Sequence, residues 1–125
     1  MGKSSLCLLT LLVVLAAAIA QEKYSDKFDA MIASDVDRVL GNDEERDKYY
    51  KCLMDTGPCD REEELFLKEH SVEAFVTRCR KCTDIQKEFA EKVTIWYTQN
   101  RPQEWSAMVE KFIADAKKMN ITPDS

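Results

Sequence analysis

The stretch "YYKCLMDTGPCDREEE", residues 49–64, sets Cys52 and Cys59 on either side of a Gly57-Pro58 turn, with six residues between them. A second pair, Cys79 and Cys82, follows in "TRCRKCTD", residues 77–84, with two residues between. Four such cysteines can bind a metal, run redox chemistry or staple a fold, and the compartment bears on the choice. The N-terminus reports it. "MGKSSLCLLTLLVVLAAAIA" has one early charge, Lys3, then an uncharged run that ends in Ala18-Ile19-Ala20. This is the pattern of a secretory signal peptide over residues 1–20. The apolar run is short for a membrane span, which takes roughly 20 residues. Cleavage after Ala20 would remove Cys7 and leave four cysteines, an even number suited to pairing in an oxidising space.

The remaining chain, residues 21–125, has the size of one domain and carries a net charge of −6. An acidic balance argues against nucleic acid as a partner, since phosphates call for Lys/Arg stripes. It argues equally against an electrostatic grip on anionic membrane.

Around the cysteines the pattern is helical throughout. After the leader only Gly41, Gly57, Pro58, Pro102 and Pro123 interrupt it, and no period-two alternation occurs. "SDKFDAMIASDVDRVL" spaces Phe28, Met31, Ile32, Val36, Val39 and Leu40 on one helical face. Asn42 is placed to cap the next helix, with Glu45 three residues on. Asp60 is the expected cap of a third, and a break at His70-Ser71 divides it from a fourth. Thr83 to Gln86 is a full capping box opening a fifth. Pro102 suits the first turn of a sixth, whose stripe holds Trp105, Met108, Val109, Phe112, Ile113 and Ala116. The expected fold class is all-α, about six short helices.

Zinc prefers closely spaced pairs, which Cys79 and Cys82 provide and Cys52 and Cys59 do not. Thioredoxin-type chemistry wants its C-x-x-C beside a βαβ pattern, and none is visible. Disulfides remain, and four cysteines allow three connectivities. If pairing is local, the chain-entropy model gives about 2.5 and about 2 kcal/mol for the two small loops. His70, the single histidine, has charged neighbours and reads as a surface residue without a catalytic role. There is no H-E-x-x-H, Gly-rich phosphate loop or EF-hand loop. Neither an enzyme nor a metal or other cofactor is expected. Asn120-Ile121-Thr122 is a glycosylation sequon in a polar tail.

The residues together resemble a known family. Cys52-x6-Cys59-x19-Cys79-x2-Cys82, "YSDKFD" at residues 24–29, "YYKCLMDTGPC", "CRKCTDIQKEFAEKV" and "NRPQEWSAMVEKF" are similar, in order, to the four-cysteine insect chemosensory proteins, also called the olfactory-segment-D (OS-D) family. The resemblance spans residues 24–112. Where that family tends to carry Leu-Leu before the tyrosine, this chain has Glu45-Arg46.

The resemblance implies a compact helical domain over residues 21–125 with disulfides Cys52–Cys59 and Cys79–Cys82. It also implies an internal apolar channel for fatty acids, esters, alcohols and related semiochemicals. Such a protein would be secreted into sensory lymph or haemolymph and would carry out no chemistry, with its ligand as partner and a monomer as its state. From the helical stripes the expected channel lining is Phe28, Ile32, Val36, Tyr49, Leu53, Val76, Ile85, Phe89, Val93, Trp96 and Tyr97, with Trp96 facing the cavity. The competing expectation is a secreted developmental or signalling protein with a filled core, acting through a receptor or other protein partner.

Overall fold

A computed structural model describes residues 22–123. The leader expected over residues 1–20 lies outside them. Among the described residues there are five helices and no strand: α1 Asp29–Leu40, α2 Asp43–Leu53, α3 Glu62–Val76, α4 Asp84–Asn100 and α5 Pro102–Lys118.

Local chemistry sets most helix ends. The Asn42 side chain accepts from the Glu45 N–H at 3.0 Å. Glu45 does not reach back to close a box; its carboxylate pairs with Arg38 of α1 at 2.7 Å. Thr83 and Gln86 form the complete reciprocal box, and Pro102 opens α5. The turn after α2 puts Asp55 at φ 61°, in left-handed backbone. Gly57 then passes so near α2 that a Cβ there would lie 2.9 Å from Lys51 Cβ, which only glycine tolerates. The chain folds back here, and Cys52 is joined to Cys59. Cys79 is joined to Cys82 in the loop between α3 and α4.

Two expectations need correction. The break at His70-Ser71 does not occur, so the expected third and fourth helices are one, α3. Its stripe is blurred because α3 faces two helices, the N-terminal segment and the interior, so apolar residues spread around its circumference. Nor does Asp60 cap it. Arg61 holds that position, and the fully buried Glu64 carboxylate closes the turn by accepting from the Asp60 N–H at 3.2 Å and from Arg61 Nε.

Helix contacts make a closed ring in the order α1, α2, α3, α5, α4 and back to α1. Each helix packs on two neighbours, and no described helix crosses the middle. Val36, Leu40, Val72, Val76, Tyr97, Met108, Phe112 and Ala116 form the fully buried core.

Before α1, an extended strap ties two regions together. The Tyr24 N–H donates to the Lys81 carbonyl at 2.8 Å, and its hydroxyl donates to Glu73 Oε1 at 2.7 Å. Gln86 is buried beneath the strap; its Nε2 donates to the Ser25 carbonyl at 2.9 Å and to Asp29 Oδ1 at 3.0 Å. Gln86→Ala removes these bonds and the box together. It is expected to destabilise the fold by about 2 kcal/mol. Urea unfolding reads that loss, and hydrogen exchange should show the Tyr24 amide losing protection. A Tyr24 amide as protected as in the parent protein would mean that Gln86 does not hold the strap.

Candidate ligand-binding cavity

The ring leaves a cavity of about 260 Å³ inside it, close to the lower end of the roughly 300–1,000 Å³ typical of ligand pockets. Every helix contributes wall: Ile32 and Val36 from α1, Tyr49 and Leu53 from α2, Phe66 and Ala74 from α3, Phe89, Ala90 and Val93 from α4, Met108 and Phe112 from α5. The spacing Gln86, Phe89, Ala90, Val93, Tyr97 is one continuous face of α4 turned inward. Several wall residues, Phe89 and Val93 among them, are half-buried because their free surface faces the hollow rather than a filled core.

Charge is confined to part of the wall. Asp35, Arg38, Glu45, Arg61 and Glu63 line the cavity and also reach solvent. Arg38 pairs with Glu45 at 2.7 Å and with Asp35 at 3.4 Å, and Arg61 with Glu63 at 3.3 Å. Arg61 also lies over the Tyr49 ring, 5.0 Å from its centre. This rim is where the hollow meets water.

Of the eleven side chains expected to line the channel, seven are in the wall: Ile32, Val36, Tyr49, Leu53, Phe89, Val93 and Tyr97. The other four are elsewhere. Phe28 packs tilted against Phe66, ring centres 5.2 Å apart, outside the wall. Val76 belongs to the filled core near the end of α3. Ile85 is half-buried in the first turn of α4, beyond the hollow. Trp96 does not face the cavity; its ring lies under the Arg46 guanidinium at 4.3 Å, with Arg101 at 5.9 Å. For Val76, Ile85 and Trp96 the stripe is real, but the helix turns the residue away from the hollow; Phe28 precedes α1. His70 is likewise not a surface residue. It lies in the wall between Tyr24, at 4.4 Å, and Phe66, at 4.7 Å.

Sequence reading missed Phe66, Leu67, Ala74 and Phe75 because α3 showed no single face. It also left Met31, Tyr50, Trp105, Met108 and Phe112 off the lining. The last three sat in the plainest stripe of the chain, which gave no sign that its inner edge bordered a void.

These features have counterparts. The insect pheromone-binding family A10/OS-D matches residues 24–120. The chain belongs to that family. Ejaculatory bulb-specific protein 3 of Drosophila melanogaster is 36% identical to this OS-D chain over 113 residues, covering 90% of this chain and 85% of the relative. A solved chemosensory protein in complex with bromo-dodecanol superposes with a TM-score of 0.67 at 31% identity, over 75% of this chain and 90% of that one. Antennal chemosensory protein A6 from the moth Mamestra brassicae gives 0.56 at 28% identity, over 82% of this chain and all of that one. No described helix of this OS-D protein is long and apolar enough to cross a membrane. Among the described residues no group of three or more His, Cys, Asp or Glu is placed to hold a metal.

Tyr97 carries the most buried phenol of the cavity. Burial pushes its pKa up to about 12; Arg46 pulls the other way, while Glu104, Asp47 and Tyr50 add to the rise. An acid whose folded pKa is raised holds its proton longer folded than unfolded. Its stabilisation is therefore complete below the unfolded value near 10 and is lost as pH rises towards 12. Between pH 9 and 11 this should remove about 1 kcal/mol. Tyr24 is shifted the same way, by burial and by its bond to Glu73, so the test is a difference. Urea unfolding at both pH values should show a smaller fall for Tyr97→Phe than for the parent. Equal falls would refute the assignment.

Proposed function

We propose that this OS-D protein is a secreted carrier that takes one small hydrophobic molecule into the cavity enclosed by its five helices. Residues 1–20 direct export, and residues 21–125 form the carrying domain. The ligand class is long-chain acids, esters, alcohols and related semiochemicals. The observation that carries the reading is the ring itself: a hollow with mainly apolar walls at the centre, reached through a charged rim. The bound bromo-dodecanol of the similar chemosensory protein supports it.

The mechanism is burial without chemistry. Each methylene moved from water into the cavity contributes about 0.8 kcal/mol, offset by the cost of immobilising the ligand. Affinity should therefore climb with chain length until the hollow is full. Loading and release go through the rim, where the Arg38–Glu45 and Arg61–Glu63 pairs must part or shift. No catalytic residue and no cofactor takes part.

Native mass spectrometry of the oxidised protein lacking residues 1–20, mixed with C12–C18 acids, alcohols and esters, tests this. A one-to-one adduct that depends on chain length is expected. No adduct across the panel from a folded sample would move the function to a protein partner.

A further inference from the structure

Most polar groups in the inner wall of the cavity are already bonded or sealed. Gln86 accepts from the Thr83 N–H and donates to Ser25 and Asp29. Tyr24 donates to Glu73, and Tyr50 to the Glu104 carbonyl at 3.4 Å. Arg46 Nε has no acceptor, but no surface is left on it for a ligand to touch. Tyr97 is different. It is 4% exposed, it lines the hollow, and its hydroxyl has no hydrogen-bond partner among the described residues. Burial is the largest cause of its raised pKa and no hydrogen bond is among the causes, whereas the Tyr24 phenol is raised partly by its bond to Glu73. The oxygen is nevertheless open. Among the described residues the unbonded buried atoms without accessible surface are Arg46 Nε and Glu104 Oε2, and the Tyr97 oxygen is not one of them. Trp96, Tyr50 and Trp105 surround the ring, at 5.1, 6.2 and 6.3 Å between centres, so the hollow is the space left for that oxygen to open onto. Gln86 and Tyr97 mark the two ends of the inward face of α4. Eleven residues of helix rise about 16 Å, room for an extended chain of about a dozen carbons.

We propose that Tyr97 is a specificity residue of the cavity, its hydroxyl donating to an uncharged oxygen at the head of the ligand, a hydroxyl or a carbonyl. This rests on the carrier reading and adds the head group to it. Raised to about 12, the phenol keeps its proton at any physiological pH and remains a donor. Hydrocarbon alone in the hollow displaces water from the hydroxyl and leaves it without a partner; a ligand oxygen restores the bond. A carboxylate there would leave water for a single neutral donor, and a buried charge needs pairing and several bonds. Arg46, the cation that acts on this phenol, already donates to the Leu40 carbonyl and to Asp43. A neutral oxygen gives up far less hydration and is served by one bond. Tyr49, His70 and Ser71, also in the wall, are half-buried, and water can reach them. Tyr49 in particular lies under Arg61 at the rim.

The test is a competition series with dodecan-1-ol, tridecane and dodecanoate at pH 7.5, on the parent protein, Tyr97→Phe and Tyr49→Phe. Tridecane has the same length as dodecanol and no acceptor. Phenylalanine keeps the ring and removes only the hydroxyl. In Tyr97→Phe the preference for dodecanol over tridecane should fall about fivefold relative to the parent, with tridecane affinity retained. That fall should exceed the one in Tyr49→Phe. In the parent, dodecanoate should bind more weakly than dodecanol.

An unchanged preference in Tyr97→Phe would overturn the proposal, and an equal loss for both compounds is an unchanged preference, the mark of a merely structural role. So would a larger fall in Tyr49→Phe, which would put the head group at the rim, and so would dodecanoate binding more tightly than dodecanol. If Tyr97→Phe does not fold, the parent decides. The Tyr97 13Cζ resonance should move with dodecanol and stay in place with tridecane; equal shifts refute the contact. Failure of all three compounds to bind the parent would instead sink the carrier reading, and this one with it.

Discussion

Ala90→Phe is expected to weaken binding of the whole C12–C18 panel by at least about tenfold while leaving the fold standing. Ala90 lies on the inward face of α4 with Phe89 and Val93, and no other helix is packed across the hollow there. A phenyl ring added at this position enters a space of about 260 Å³ and takes room that a ligand chain needs. In a filled core such an enlargement costs about 1–3 kcal/mol through forced rotamers. Here the void receives the ring, so stability should stay within about 1 kcal/mol of the parent. Ligand titration and urea unfolding on the same sample separate the two effects. Undiminished binding by a folded variant would show that the ligand does not occupy this cavity.

Phe112→Ala should have the largest effect on stability, about 3–5 kcal/mol, a large part of the total for a domain of this size. Phe112 is 5% exposed and packs on Phe75 at 5.7 Å. It also lines both the central cavity and an outer groove that includes Leu53, Val72, Lys111 and Met119. A wall with a hollow on either side has few atoms able to relax into the space left by a lost ring. The removed contacts are therefore not recovered, and the cost falls at the high end of the range. A urea midpoint shifted by less than about 1 kcal/mol would mean that the two hollows are not separated by Phe112. The enlarged cavity of any variant that folds should prefer a longer chain than the parent does.

The groove has its own charge cluster, and its pH response runs opposite to that of Tyr97. Lys111 and Lys68 hold the Asp55 carboxylate down at about 2. A depressed carboxylate stabilises above its unfolded value near 3.8, and that stabilisation is lost as pH falls towards 2. The Asp55 side chain is largely exposed to water, so the effect is small beside that of Phe112.

Much of this was legible in the chain. The Asn42 cap, the Thr83-Gln86 box, Pro102 at the start of α5 and the Gly57 turn are interactions between residues within a few positions of each other. Near neighbours in sequence meet whatever the rest of the protein does. The Cys52–Cys59 and Cys79–Cys82 bridges join partners seven and three positions apart, but the cysteines alone left three connectivities open and only the family resemblance implied this one. The apolar stripes were legible too, and most expected wall residues carry one.

Which side of a stripe meets a neighbour and which meets empty space was decided only in three dimensions. Trp96 and Tyr97 are adjacent, both aromatic and both on the inner half of α4, yet one supports Arg46 and the other borders the hollow. Periodicity fixes a face to within about a third of a turn, and the difference between a filled core and a cavity is finer than that. Where α3 runs through His70-Ser71, His70 packs on Tyr24, 46 positions away, a contact that local sequence does not encode. The cavity itself is a property of ring closure. It exists because each helix finds two partners and none crosses the centre, and no single helix carries that information.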